Sequence, residues 1–496
     1  MEHSNTVVLR DINEVYAKVD CDPSIAYELR DVFTFRVPGA EFSPKFRAKL
    51  WDGKIYLFNP INKLLYRGHI ETVRQFCEDR GYGFEYAAPP ESKFTRETAD
   101  AFVKALKPKF EPTEHQMVAF TSAIQNRRRV LLSPTASGKS LIIYMLMRFH
   151  LLSDRKGLII VPKVQLVEQL FSDFEEYSEL NGWKVEDHIH RIYSGKEKDN
   201  PDTKVYISTW QSLFEMPKKY FEQFDYVIND EVHLSQAKSL TYILENLTRA
   251  ADRIGLTGTL SESKTHELVI TGLFGQVQKV ISTRELMDKN LVSDFKIKCL
   301  LLKHPIEACK AAKDFTFVEE MEYLVQSVER NKFITNLCMS LSGNTLVLFQ
   351  YVEKHGKILY DMIKEKAGSR RVFLIYGDTD VDLREKIRAI VEQESDAIIV
   401  ASFGTTSTGT NMKKLHNVVF ASPSKSRIRN LQSIGRALRK ADNKSVATLY
   451  DIADDLKYKK YQDNYTLKHF EVRIRTYAEE KFDFKIFKLD LTKGNT

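Results

Sequence analysis

The chain has 496 residues, 43% hydrophobic and 28% charged, too long for one core and consistent with three or four domains of about 100–200 residues each. No apolar run of about 18 residues occurs, and Met1-Glu2-His3-Ser4-Asn5 lacks the basic-then-apolar layout of a signal peptide, so a membrane span is excluded and a cytoplasmic location expected. Cys21, Cys77, Cys299, Cys309 and Cys338 are odd in number and scattered, which supports neither a disulfide framework nor a zinc site, and the net charge of +7 suits a polyanionic partner without demanding one.

Residues 1–90 are rich in strand formers and aromatics and end at the linker Ala87-Ala88-Pro89-Pro90, so a small α+β domain is expected there. Within it Lys45, Arg47, Lys49, Lys54, Lys63 and Arg67 face one acid, Asp52, with Phe46, Trp51, Tyr56, Phe58 and Tyr66 among them. Cations with interleaved rings hold phosphates and stack on exposed bases. Asp52-Gly53 also fits a tight hairpin, in which Trp51, Ile55 and Leu57 would pack the core.

From Phe94 the chain alternates continuous β-branched runs with amphipathic stretches. Gly157–Val161, Val205–Ser208, Tyr226–Asn229 and Ile254–Thr257 form one series, over residues 91–285. Thr345–Phe349, Val372–Tyr376, Ala397–Val400, Val418–Phe420 and Ala447–Tyr450 form a second, over 286–455. Such runs predict parallel sheets covered on both faces. Residues 456–496 read as a basic helical extension, with Leu467, Phe470, Ile474 and Tyr477 inward and Lys468, Arg473 and Arg475 outward.

The first series carries a phosphate loop. Ser133-Pro134-Thr135-Ala136-Ser137-Gly138-Lys139-Ser140 follows Val130-Leu131-Leu132 and leads into an apolar helix. Backbone amides of Thr135 to Gly138 and the helix N-terminus suit phosphates, Lys139 reaches the outer ones, and the Ser140 hydroxyl suits Mg²⁺. Ser133 stands where the first glycine is usual. Downstream, Asp230-Glu231-Val232-His233 leaves the strand at Tyr226–Asn229, so Asp230 can hold the metal while Glu231 orients or deprotonates water. In the second series Arg436 and Arg439 of Gln432-Ser433-Ile434-Gly435-Arg436-Ala437-Leu438-Arg439 share a helical face, as arginine fingers toward a triphosphate would.

Gln116, Pro134 to Ser140, Val161-Pro162, Ser208-Thr209-Trp210-Gln211, Asp230 to His233, Thr257-Gly258-Thr259, Ser402 to Thr410 and Gln432 to Arg439 together resemble the ordered motifs of superfamily 2 helicases. The resemblance implies an α/β molecule with two RecA-like parallel-sheet domains, the small N-terminal domain and a short helical C-terminal segment, binding ATP with Mg²⁺ in the cleft. It assigns nucleotide binding to Gln116, the phosphate loop, Asp230 and Gly409, and catalysis to Glu231, Lys139, Gln432, Arg436 and Arg439. Coupling falls to His233, Thr257 and Thr259, and the nucleic-acid path to Pro162 and Thr209.

Phe42-Ser43-Pro44-Lys45-Phe46-Arg47, Trp51 to Leu57 and Tyr477 to Phe482 add a narrower similarity to UvsW-type recombination helicases of tailed bacteriophages. That similarity implies ATP-driven remodelling of branched DNA or RNA–DNA hybrids in a host cytoplasm, with Lys45, Arg47, Lys49, Trp51 and Lys54 on DNA and no membrane partner. Rival readings are an RNA helicase, a restriction-type translocase subunit and an ATP-switched clamp without turnover. Asp230-Glu231-Val232-His233 departs from the Asp-Glu-Ala-Asp of the commonest RNA branch, and Pro201-Asp202-Thr203-Lys204 lies where no separate nuclease domain fits.

Overall fold

The computed structural model describes the chain except residues 1–4, 38, 194, 196, 235–237, 261–263, 407–411, 413, 425, 427–430, 432, 436–445, 460–462 and 493–496, and the side chains of 264–266, 381 and 406. Two compact units are present, Met1–Ser133 with Gly138–Val280 and Ile281–Thr496 with Pro134–Ser137. No helix among the described residues is long and apolar enough to cross a membrane.

The N-terminal domain contains β1 (Thr6–Asp11), β2 (Tyr16–Asp20), β3 (Thr34–Arg36), β4 (Lys54–Tyr56), β5 (Leu64–Tyr66) and β6 (Gly83–Tyr86). A mixed sheet of order β5-β2-β1-β6 and a separate β3-β4 ribbon result. The helices Pro23–Val32 and Ile70–Arg80 contribute to its core, where Leu29, Val73 and Phe76 meet Val7, Leu9 and Val19. Asp22 caps the first helix, its carboxylate accepting from the Ser24 amide at 2.8 Å, and Gly81 ends the second at φ 69°. The expected tight hairpin at Asp52-Gly53 is absent. β3 and β4 pair antiparallel across the long connection 37–53, and Gly53, at φ 77°, closes its end.

The first motor sheet comprises β7 (Arg128–Leu132), β8 (Gly157–Val161), β9 (Ile189–Ile192), β10 (Val205–Thr209), β11 (Tyr226–Asp230), β12 (Asp252–Thr257) and β13 (Val277–Lys279). Its order is β13-β7-β12-β11-β8-β10-β9 and every pairing is parallel. β8, β10 and β12 are buried along their whole length, as strands covered on both faces must be. The phosphate-loop strand β7 and the acidic strand β11 flank β12, so their C-terminal ends lie along one edge.

The N-terminal domain is seated on this sheet. Glu14 receives Arg128 at 2.8 Å and also pairs with Arg67, and its amide donates to the Thr248 carbonyl at 3.0 Å. The Tyr66 hydroxyl donates to Glu245 at 2.5 Å, and Val15 and Tyr66 join a core cluster with Ile270 and Leu273. Gly68 lies so close to the backbone carbonyls of Thr271 and Gly272 that a Cβ there would collide with them.

The second unit contains β14 (Asp294–Lys303), β15 (Thr345–Phe349), β16 (Val372–Ile375), β17 (Ile398–Ser402), β18 (Asn417–Phe420), β19 (Val446–Asp455) and β20 (Asp483–Asp490). They form an all-parallel sheet of order β16-β17-β15-β18-β19-β14-β20. The C-terminal segment is helical over Tyr465–Glu479 and then continues into β20, which pairs with β14 as the edge strand. Arg473, expected outward, is buried. Its guanidinium donates to Asp451 on β19 at 2.8 and 3.0 Å and to the Ser424 carbonyl at 3.2 Å.

Candidate active site

The phosphate loop is shaped by two left-handed residues, Ala136 at φ 70° and Gly138 at φ 77°. Ser133, the unusual first residue, is not left-handed; it is buried and its amide donates to the Thr257 carbonyl at 2.9 Å. Its backbone therefore never needs the freedom that glycine supplies, which is why serine serves there. Gly138 does need it. A Cβ at Gly138 would collide with the side-chain amide of Gln116, which donates to the Gly138 carbonyl at 3.2 Å.

Gln116 is aimed by its own helix start. The helix Glu114–Asn126 opens with a capping box in which the Gln116 side chain accepts from the Thr113 amide at 2.8 Å. The loop itself is closed by the Ser137 hydroxyl, which donates to the Pro134 carbonyl at 2.7 Å. Lys139 begins the helix Lys139–Leu151, and its ammonium donates to the Ser133 carbonyl at 3.4 Å. That helix points the positive end of its dipole at the loop. The Ser140 hydroxyl lies 2.6 Å from that of Tyr177, on the helix Val164–Ser178. Nothing in the sequence marks Tyr177, because it reaches Ser140 from another helix.

At the end of β11 burial, then the neighbouring Glu231 carboxylate, push Asp230 up to about 6, while Lys139 pulls the other way. Glu231 sits at φ 57°, a strained conformation for a side chain of its size, and its amide donates to Asp230 at 3.0 Å. Glu231 lies beside the β12 end. There the His233 ring bonds the Thr257 hydroxyl at 2.9 Å and approaches Glu231 at 3.2 Å, and the Thr257 hydroxyl lies 3.5 Å from Glu231 and 2.8 Å from the Thr259 carbonyl. Glu231, His233, Thr257 and Thr259 thus form one hydrogen-bonded group.

No cluster of three or more His, Cys, Asp or Glu side chains that could hold a metal occurs among the described residues. Mg²⁺ needs none here. It is commonly bound by one or two carboxylates, a hydroxyl and the substrate's own phosphates. A carboxylate raised by burial and by a like charge, as Asp230 is, would gain from a divalent cation beside it, and to that extent Asp230 suits the ion.

Other calls divide. Lys45, Arg47, Lys49 and Lys54 are exposed, and Trp51 is half-buried with its indole N–H donating to the Lys54 carbonyl at 2.7 Å. Lys63 and Arg67 leave the cationic set. Lys63 pairs with Asp20 at 3.7 Å and Arg67 with Asp11 at 2.7 Å, which makes them internal struts of the domain. Pro162 and Thr209 follow or end the adjacent strands β8 and β10, and both are buried. Gly409, Gln432, Arg436 and Arg439 lie outside the described residues.

Residues 6–86 match the family model of the DNA helicase UvsW N-terminal domain, 109–262 that of the type III restriction enzyme res subunit, and 329–441 that of the helicase conserved C-terminal domain. The ATP-dependent DNA helicase uvsW of Enterobacteria phage T4 is 35% identical over 95% of this chain and 96% of its own length. The crystal structure of T4 UvsW aligns over 98% of this chain and 100% of that one, with 33% identity and a TM-score of 0.52. A type ISP restriction-modification enzyme, LlaBIII, shares the fold at 15% identity over 78% of this chain and 32% of its own, with a TM-score of 0.57. With the loop, the acid pair and the Glu231–His233–Thr257–Thr259 group on one sheet edge, and with a relative aligned to it nearly end to end, the protein belongs to the UvsW-type ATP-hydrolysing DNA helicases of superfamily 2.

Proposed function

We propose that the protein uses ATP with Mg²⁺ to remodel branched DNA: fork regression, Holliday-junction branch migration, R-loop unwinding and strand annealing. In this reading Gln116, bonded to the Gly138 carbonyl, braces the nucleotide-binding loop, while the amides of the loop and Lys139 hold the phosphates. Asp230 and Ser140 would hold the metal, which shields phosphate charge when bound. Glu231 orients and deprotonates the attacking water, and Gln432, Arg436 and Arg439 sense the outer phosphate. The observation that carries coupling is the group Glu231–His233–Thr257–Thr259, since one end touches the base of catalysis and the other the loop after β12. Exposed Lys45, Arg47, Lys49 and Lys54, with Trp51, support DNA contact by the N-terminal domain.

The deciding experiment measures ATP hydrolysis on linear single strand, duplex, fork, four-way junction and RNA–DNA hybrid in parallel. Branched substrates are expected to give the highest kcat/KM. Equal stimulation by duplex and fork would favour a restriction-type translocase, the reading to which the match over residues 109–262 gives weight. Stimulation by the RNA–DNA hybrid alone would favour an RNA helicase, and ATP binding without hydrolysis on any strand a clamp.

A further inference from the structure

The connection between β3 and β4 forms a lobe with its own small interior. The Val37 amide donates to the Gly53 carbonyl at 2.8 Å, and a Cβ on Gly53 would already lie 3.0 Å from Ala40 and from Phe46. Ala40 is buried, Phe46 half-buried, and Arg36 lies 5.9 Å from the centre of the Phe46 ring. At the tip is the single helical turn Pro44–Arg47. Its ends are tied down, the Arg47 guanidinium donating to the Glu41 carbonyl at 3.2 Å and the Leu50 amide to the Lys45 carbonyl at 2.9 Å.

Phe42 and Leu50 flank this turn and are not part of the interior, being 71% and 81% exposed. They stand among Arg36, Lys45, Arg47, Lys49 and Lys54 against two acids, Glu41 and Asp52, and Asp52 is bonded by the Tyr56 hydroxyl and the Lys54 amide. A surface for an ordinary protein partner mixes charge around its apolar centre; cations around two bare apolar tips match phosphates around base faces.

We propose that this lobe is a branch-point wedge: Phe42 and Leu50 enter the base stack where strands part, and Lys45, Arg47, Lys49 and Lys54 hold the flanking phosphates. The proposal rests on the reading that this cationic surface contacts DNA. Apolar insertion unstacks a base step and phosphate contacts fix its register, so the two sets of side chains do separable work.

The test uses the full chain and a fork carrying 2-aminopurine at the branch. Phe42→Ala/Leu50→Ala is expected to bind the fork within about threefold of the parent, because the phosphate contacts remain. Its 2-aminopurine fluorescence rise on binding should fall at least about fivefold and fork unwinding about tenfold, since the inserted side chains are gone. Lys45→Gln/Arg47→Gln/Lys49→Gln/Lys54→Gln should instead weaken fork binding and shallow its salt dependence by roughly 0.7–0.9 in log–log slope per lost contact. Phe42→Trp, which keeps a stacking face, should retain both the fluorescence rise and unwinding. Parent-like fluorescence and unwinding in the alanine pair, beside a weakened glutamine variant, overturns the wedge and leaves DNA contact standing; a protein partner on the tips would give that same result. A glutamine variant with parental affinity and salt slope overturns the DNA reading and the wedge with it. Should the alanine pair melt below the parent, Phe42→Trp decides, and loss of its fluorescence rise overturns the wedge.

Discussion

In the proposed mechanism Lys139 and Glu231 act at different moments, so their substitutions should separate. Lys139→Ala removes the cation facing the outer phosphates and is expected to lower kcat/KM by 10²-fold or more, order of magnitude, with weakened binding of a fluorescent ATP analogue. Glu231→Gln keeps shape and polarity but cannot take a proton; binding should persist while single-turnover hydrolysis falls by roughly 10²–10⁴-fold. Hydrolysis near the parental rate in Glu231→Gln would remove it from the base role. The phosphate loop and acid pair were legible in the sequence because their chemistry is local: glycine, lysine and serine within one turn, two acids at one strand end. Tyr177 beside Ser140 was not, since it arrives from a helix distant in the chain, and no residue type at Asp230-Glu231 signals the positive φ of Glu231.

Among the elements, the inner strands of both sheets were readable because each is a continuous apolar run between polar stretches. The C-terminal helix was readable only in part. Phe470 and Tyr477 do face inward, yet helical spacing could not place Arg473, whose burial depends on Asp451 arriving from β19. β20 was missed for a related reason: Asp483–Asp490 breaks alternation at Ile486-Phe487 and has no buried position, being held only as an edge strand on β14. Arg473→Ala leaves the Asp451 carboxylate buried without its cation and is expected to cost about 3–5 kcal/mol, seen as a fall in denaturant midpoint. Arg473→Lys should restore only part of this, because an ammonium cannot donate in the fork geometry. Unchanged stability in Arg473→Ala would show that the pair contributes nothing net.

Across the whole molecule, the N-terminal domain and the first motor sheet share a core, and deletion of residues 1–90 is expected to fail as a test of DNA grip. It would strip Glu14 from Arg128 and Tyr66 from Glu245, and uncover Ile270 and Leu273. The truncated chain should melt at lower temperature than the parent and lose hydrolysis on every strand, a result that scanning calorimetry with an ATPase assay would register. Retention of parental melting would show that the seat is dispensable. Acid should loosen both units. Burial holds His69 and His150 down at about 4, against an ordinary 6.5, and His355 in the second unit at about 3. The unfolded chain therefore binds more protons below pH 6.5, so stability is full above that value and declines as pH falls toward 4, by roughly 1 kcal/mol per histidine per pH unit. His150→Phe should flatten the slope of denaturant midpoint against pH in that window, and an unaltered slope would exclude His150 as a contributor.

Gly68 against the carbonyls of Thr271 and Gly272 sets a limit on modular engineering. A partner surface that admits no side chain at the contact cannot be matched by a generic motor, so a chimera carrying this N-terminal domain must import the helix Lys264–Phe274, Arg128 and Glu245 as well. The transplantable cassette is thus residues 1–280, roughly three times the segment that linker composition alone would mark for cutting.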